Sequence, residues 1–79
     1  MLVASLSQLK QGNSATVSDI TADERTAERL QNIGLIKGTV VKCMQKTPSD
    51  DPIAYLIRGA VIALRLKDSS CVEVVINDT

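Results

Sequence analysis

The chain has 79 residues with nine basic and nine acidic side chains, no histidine, and a single aromatic residue, Tyr55. A chain of this length forms one domain around one small core, so residues 1–79 are expected to fold as a single unit. The net charge is zero and Phe and Trp are absent, which argues against nucleic-acid binding, because the chain lacks the positive charge that binds phosphates and the aromatic rings on which bases stack. The absence of His, the commonest proton-transfer side chain, argues against an independent enzyme.

The N-terminal segment predicts a short helical turn followed by a strand. Leu6 to Gly12 forms the turn, with Ser5 as its N-cap or, for a shorter turn, Ser7. Leu6 and Leu9 share a face that closes one end of the core. Ala15 to Ile20 alternates between apolar and polar residues and predicts the first strand.

Residues Thr21 to Gly34 predict an α-helix of about three turns that lies across the core. Thr21 and Glu24 have the spacing of a capping box at its start. Gly34 is placed to end it in a left-handed conformation. One apolar stripe faces the core, made of Ala27, Leu30 and Ile33.

The chain after Gly38 predicts a sheet of short strands. These strands are expected at Thr39–Thr47, Ile53–Arg58, Val61–Leu66 and Cys71–Ile76. Gly59 supplies a tight reversal and Lys67–Ser70 a turn. The pattern is that of a mainly β domain whose small, strongly bent sheet closes on itself as a barrel, because an open sheet would expose two edges and one apolar face.

No membrane segment or secretory signal is expected. The longest uninterrupted apolar run, Ala60 to Leu64, is far shorter than the roughly 20 residues that cross a bilayer. The first residues lack a charged region ahead of a hydrophobic stretch.

The chain has two cysteines, Cys43 and Cys71, and this low number is typical of a protein in the reducing cytoplasm. We expect both thiols to be reduced and to pack as small buried hydrophobic side chains. A disulfide or a thiolate metal site is the alternative.

Two adjacent carboxylates, Asp50 and Asp51, lie between Pro48 and Pro52 and are candidates for a metal site. They could bind a divalent cation such as Fe²⁺ or contact a basic patch on a partner, or they could be turn residues that satisfy local backbone N–H groups. A hard cation takes about six oxygen ligands, and no ligand-spaced loop is present. We therefore expect no resident metal or other cofactor.

Charged side chains also stand out on the predicted helix and beside the Gly59 reversal. Arg25, Glu28 and Arg29 on the helix form either a solvated face or a partner-binding face. Arg58 and Arg65 flank the Gly59 reversal and are expected to lie near each other across it. Without histidine, no Ser-His-Asp or Cys-His arrangement exists, so no catalytic residues are assigned.

The stretch Arg29–Val41 has a distinctive pattern: an Arg-Leu helix end, a Gly-Leu pair, two residues, and Gly-Thr-Val. This pattern resembles the FeoA family of ferrous iron transport proteins. The resemblance extends over nearly the whole chain, through Leu6–Gly12, Pro48–Ile53, Arg58–Gly59, Ala63–Arg65 and Cys71–Val75. Two features depart from the family pattern: Ser49-Asp50 replaces a common Leu-Gly, and Cys43 and Cys71 have no counterpart.

The resemblance implies a cytoplasmic SH3-like β-barrel that assists FeoB, the membrane ferrous iron transporter with a cytoplasmic GTPase domain. Binding of PxxP peptides is disfavoured, because one tyrosine cannot line an aromatic groove. Contact with FeoB is expected through the helix face, an exposed strand edge, or the proline-flanked turn. The expected contact residues are Arg25, Glu28, Arg29, Pro48, Asp50, Asp51 and Pro52.

Two alternatives to a docking module stay open. One is a metal-sensing or metal-binding domain related to the C-terminal domain of metal-dependent repressors, using Asp50, Asp51 and a cysteine. The other is a GTPase activator that supplies an arginine finger to its partner. The arginines available for that role are Arg25, Arg29, Arg58 and Arg65.

Overall fold

The computed structural model describes residues 2–49 and 51–76, and its main feature is one antiparallel sheet. Six strands lie in the order β1-β6-β2-β3-β4-β5. The strands are β1 (Leu2–Ser5), β2 (Ser14–Ile20), β3 (Val40–Lys46), β4 (Ile53–Ile57), β5 (Ala60–Leu64) and β6 (Val72–Ile76). The helices are α1 (Glu24–Asn32) and α2 (Leu66–Ser69), with a 3-10 turn at Leu6–Gln8. The mainly β, SH3-like fold class is confirmed.

The prediction that the sheet closes on itself is wrong, since within the described residues no ladder joins the edge strands β1 and β5. Closure is not needed to bury the apolar face, because side chains from the 3-10 turn and α1 fill it. Leu6 and Leu9 are completely buried, as the sequence predicted, and Leu30 and Leu35 join the same core. The chain also leaves the sheet after Leu64 to form α2, which ends β5.

Strand β1 was not predicted. Its Leu2 and Val3 are more than half exposed, so the segment lacks the alternation that marks a half-buried strand. It exists because it pairs with β6 over its full length, from Leu2 opposite Ile76 to Ser5 opposite Glu73. This pairing joins the first and the last described strands, so a local sequence pattern does not predict it.

Helix α1 starts two residues later than a Thr21 cap would place it. Asp23 is the N-cap, and its side chain accepts a hydrogen bond of 2.8 Å from the backbone N–H of Thr26. The prediction of Thr21 as the cap is wrong because its backbone N–H donates to the Cys71 carbonyl at 2.8 Å, which holds Thr21 against the chain that enters β6.

The C-terminal end of α1 is confirmed. Gly34 has φ +99°, its N–H donates to Gln31, and the N–H of Leu35 donates to the Leu30 carbonyl at 2.9 Å. These two hydrogen bonds are a Schellman motif, with Leu30 and Leu35 packed together in the core.

The β4–β5 hairpin turns at Arg58 and Gly59, which both have positive φ, at 50° and 85°. This is the type I′ geometry that matches strand twist in two-residue hairpins. Because Ile57 pairs with Ala60 and Ile53 with Leu64, Arg58 and Arg65 lie at opposite ends of the hairpin. The expectation that they are neighbours is wrong.

The segment predicted as the end of a strand and a turn is instead α2. Leu66 was expected on the inner face of a strand with Ile62 and Leu64, but it opens α2 and is 41% exposed. Ser69, at the end of α2, is completely buried. The local sequence hid this helix because it is only four residues long.

Candidate partner-binding surface

The short helix α2 brings together the two regions that the sequence singled out for partner binding. From α1, Arg29 Nη2 forms an ion pair with Asp68 Oδ1 at 2.6 Å. From the turn that follows β3, Asp51 Oδ1 accepts a hydrogen bond of 3.0 Å from the backbone N–H of Leu66. The charged helix face and the proline-flanked turn therefore meet at one end of the molecule, with α2 between them.

On the helix face, the three predicted residues are not equivalent. Arg29 is committed to Asp68, whose side chain is only 13% exposed, while Arg29 itself stays 54% exposed. Arg25 and Glu28 are exposed and, among the described residues, take part in no ion pair. A partner can therefore engage Arg25 and Glu28 without breaking an ion pair between described residues.

In the proline-flanked turn, Asp51 is held from several directions. Its backbone N–H donates to Thr47 Oγ1 at 3.1 Å, and its carbonyl accepts from Ser49 Oγ at 3.2 Å. Pro48 is exposed and Pro52 is half-buried. Asp50, the second predicted carboxylate, lies outside the described residues.

The turn-residue interpretation of Asp51 matches its hydrogen bonds, with one difference. Its carboxylate satisfies a backbone N–H that is distant in sequence, at the start of α2, rather than a local one. Arg65, the N-cap of α2, makes no side-chain capping hydrogen bond. Asp51 therefore supplies the cap that the local sequence of α2 lacks.

Two buried hydroxyl groups, those of Tyr55 and Ser69, form hydrogen bonds beneath this surface. The hydroxyl of Tyr55 donates to the Leu6 carbonyl at 3.2 Å, and Ser69 Oγ donates to the Leu66 carbonyl at 3.3 Å. Burial raises the pKa of Tyr55 to about 12, although the nearby Ser69 side chain acts on this pKa in the opposite direction. The hydroxyl is thus neutral at physiological pH and serves as a structural donor.

The cysteines are not together. Cys43 is completely buried in the core, as expected of a small hydrophobe, whereas Cys71 is half-buried and its Sγ donates to the Lys67 carbonyl at 3.3 Å. Both are free thiols. Within residues 2–49 and 51–76, no three His, Cys, Asp or Glu side chains are grouped closely enough to hold a metal ion.

One surface feature escaped the sequence argument, namely the exposed apolar side chains on the outer side of the sheet. Val61 on β5 is 62% exposed and Val40 on β3 is 57% exposed. The available signal was the apolar run Ala60–Leu64, because a strand directs alternate side chains to opposite faces and cannot bury all of such a run on one face. No helix of the described residues has the length and apolar character of a membrane span.

Family comparison agrees with this architecture. The model of the FeoA domain matches residues 4–76. The solution structure of the FeoA protein from Chlorobium tepidum is 30% identical, with a TM-score of 0.85, and the match covers 92% of this chain and 70% of that one. No curated protein sequence matches this chain.

Other solved structures share the fold. The crystal structure of an iron uptake regulatory protein, FeoA, is 22% identical with a TM-score of 0.87, covering 98% of this chain and all of that one. The FeoA of Stenotrophomonas maltophilia, complexed with zinc and described as a prokaryotic SH3-domain protein, is 27% identical with a TM-score of 0.76, covering 98% and 91%.

A manganese-dependent transcriptional repressor contains the same fold as part of a longer chain. It is 20% identical with a TM-score of 0.86, and the match covers 95% of this chain but 42% of the repressor. At this identity the likeness is one of fold. It agrees with the expected structural relation to domains of metal-dependent repressors.

Proposed function

This chain belongs to the FeoA family, and on that premise we propose that it is a cytoplasmic accessory and regulatory protein of ferrous iron uptake that acts by binding the transporter FeoB. The observation that carries the proposal is the family match over residues 4–76, supported by the 30% identity to the FeoA protein of C. tepidum. The S. maltophilia relative, suggested to be a ferrous iron transport activating factor, supports the same role.

The end of the molecule around α2 is the proposed docking surface. It combines the free charges of Arg25 and Glu28 on α1 with the turn of Pro48, Asp51 and Pro52, and we include Asp50 and Arg29 in the surface. Leu66 lies between these regions and is 41% exposed. An apolar side chain surrounded by charged groups of both signs is typical of a protein–protein interface, in which a dry centre is bordered by a polar rim.

Binding and uptake test the proposal together. We expect the full chain to associate with the cytoplasmic domain of FeoB, and deletion of its gene to reduce ferrous iron uptake. The double variant Arg25→Glu with Glu28→Lys, which keeps the net charge, is expected to weaken association about tenfold, because a few contacts dominate most interfaces. Normal uptake without the protein, together with no association, would contradict the proposal.

A matched control separates this face from a general charge effect. Lys10 and Glu73 are exposed and lie outside the proposed surface, so Lys10→Glu with Glu73→Lys changes the same number of charges. This control is expected to bind like the wild type.

A separate measurement distinguishes a GTPase activator from a scaffold. The rate of GTP hydrolysis by the FeoB domain is measured with and without this protein, and an unchanged rate supports scaffolding.

Direct metal binding is a second candidate function, favoured by the zinc complex of the S. maltophilia relative. In this chain it would use Asp51 and the neighbouring Asp50. An anaerobic titration with Fe²⁺, followed through the backbone amide shifts, is expected to perturb residues 47–52 if these carboxylates bind it. An absence of localised shifts at millimolar Fe²⁺ would reject this function.

A further inference from the structure

Strand β5 forms one edge of the sheet and has hydrogen-bonding groups that the described part of the chain leaves unused. Its partner on one side is β4, and no described strand lies on the other. In a two-residue hairpin the pair that flanks the turn, here Ile57 and Ala60, exchanges both hydrogen bonds, and the bonded pairs then alternate. The N–H and C=O groups of Val61 and Ala63 therefore point away from β4, and no hydrogen bond to them is made within residues 2–49 and 51–76.

The edge also lacks the features that usually protect a free edge from pairing. Its sequence, Ala60–Leu64, contains no charged residue and no proline, and its register with β4 runs without a bulge. Val61 is 62% exposed on the outer face of the sheet, where it lies opposite the half-buried Leu56. An incoming strand would gain backbone hydrogen bonds and cover these side chains at the same time.

Positive charge brackets this apolar edge. Arg58 precedes it and Arg65 follows it; both are exposed, and neither forms an ion pair with another described residue. The methylenes of Arg58 lie over Gly34, with Cδ 2.6 Å from the position that a Cβ would take there, so the start of this side chain is anchored against the end of α1. Arg58 and Arg65 thus flank the free edge in the chain, one before its first residue and one after its last.

The charges decide which kind of strand fits. In an antiparallel pair of two β5 strands centred on Ile62, Arg58 of each copy would lie next to Arg65 of the other. Two arginines would then come close together at each end of the pair, and the repulsion between their positive charges disfavours a second copy. A strand from another protein, with an acidic residue near each end, would be attracted at both ends.

We propose that the edge of β5 is a strand-addition site for an extended segment of a partner protein, with β-branched or small residues between two acidic residues. Arg58 and Arg65 are seven positions apart in the chain, about 23 Å in an extended strand at about 3.3 Å per residue, so acidic residues six or seven positions apart lie near both ends of the edge. The inference deepens the proposed function, since it supplies a contact with the partner. It also fits the docking surface geometrically, because β5 leads through Arg65 directly into α2.

A peptide titration of the full chain tests the site. The probe is an acetylated and amidated peptide, Glu-Thr-Val-Thr-Val-Thr-Glu, and its control has lysine in place of both glutamates. We expect the acidic peptide to shift the amides of Val61 and Ala63 and to slow their hydrogen exchange about tenfold, and the basic peptide to bind at least about tenfold more weakly. Equal binding of both peptides, shifts confined to β1, or no shifts at millimolar peptide would overturn the proposal.

Charge variants sharpen the test. Arg65→Glu, at an exposed position, leaves one positive and one negative end and is therefore expected to abolish most of the preference for the acidic peptide, whereas Lys10→Glu, away from the edge, leaves the preference unchanged. Shifts of the β5 amides that depend on protein concentration without peptide would show that a second copy occupies the edge, and would overturn the choice of partner. Because the peptide contains nothing of FeoB, loss of peptide binding with intact FeoB binding rejects the strand-addition site alone. The reverse result rejects the FeoB proposal alone.

Discussion

Tyr55 is the single aromatic residue of the chain, and its hydroxyl joins β4 to the N-terminal 3-10 turn. The ring is completely buried, and the hydroxyl donates to the carbonyl of Leu6. A buried hydroxyl of this kind is favourable only because it has a partner, since an unpaired one would lose its hydrogen bonds to water. Tyr55 therefore does not line a binding groove. It connects two distant parts of the chain through a buried hydrogen bond.

Replacing Tyr55 with Phe is expected to lower the free energy of unfolding by about 1 kcal/mol, the usual net value of one hydrogen bond. The loss stays modest because the ring still fills the core and the Leu6 carbonyl keeps its hydrogen bond from the Leu9 N–H. Urea unfolding at neutral pH measures the change. An unchanged or increased stability would show that the hydroxyl contributes nothing.

The pH dependence of the free energy of unfolding, compared between the wild type and Tyr55→Phe, is a second test of the Tyr55 hydroxyl. Burial raises the pKa of Tyr55 from 10.0 to about 12, so the folded state holds the phenolic proton more tightly than the unfolded state. This contribution is fully present below pH 10 and is lost as the pH rises through about 12. The wild type is expected to lose more stability than Tyr55→Phe over this range, while lysine titration affects both proteins alike.

At the scale of one element, α1 shows how caps define a helix of nine residues. Asp23 satisfies a backbone N–H at the start, and the Schellman motif of Gly34 and Leu35 satisfies two carbonyls at the end. The hydrogen bond to the backbone and side chain of Thr26 lowers the pKa of Asp23, because it favours the charged carboxylate. A helix this short depends on such terminal contacts together with its buried Leu30.

Comparing Asp23→Ala with Thr21→Ala tests the position of the cap. Asp23→Ala is expected to lower Tm by a few degrees, while Thr21→Ala leaves Tm nearly unchanged, because only Asp23 accepts from an orphan helix N–H. Since its pKa is lowered in the folded state, Asp23 contributes stability above pH 3.8, and the difference between wild type and Asp23→Ala shrinks as the pH falls below it. Equal effects of both variants would place the cap elsewhere.

At the scale of the whole molecule, α2 connects parts that are far apart in the chain. It receives an ion pair from α1 through Asp68 and a cap from the β3–β4 connection through Asp51. An ion pair whose arginine is more than half exposed contributes little to stability, so the cap is the more important of the two contacts. The proposed docking surface therefore depends on this connection for its shape, even though α2 is only four residues long.

Removing the cap is expected to loosen α2 without unfolding the domain. Asp51→Ala deprives the Leu66 N–H of its acceptor and is expected to speed hydrogen exchange of the α2 amides about five- to tenfold, in line with the usual cost of a lost cap. Asp51→Asn keeps an acceptor oxygen at this position and serves as the control, with exchange near that of the wild type. If both variants exchange alike, the hydrogen bond does not hold α2 in place.

Elements whose causes are local could be predicted from the sequence. The Gly34 helix end, the Arg58–Gly59 hairpin and the alternation of Val72 and Val74 each follow from a backbone preference or a side-chain period within a few residues. The family pattern was legible for the same reason, since its motifs lie at these turns and caps. The buried positions of Leu6 and Leu9 also followed from spacing alone.

Features that depend on contacts between distant residues could not be predicted from the sequence. Strand β1 exists because β6 pairs with it, Thr21 is drawn away from the helix by the Cys71 carbonyl, and α2 is capped by Asp51 from another loop. The open edge of the sheet belongs to the same class, because other elements cover the inner face and make closure unnecessary. The composition argues against an aromatic or strongly basic binding site. The location of the surfaces proposed for partner binding depends on which backbone and charged groups have no partner within the described residues.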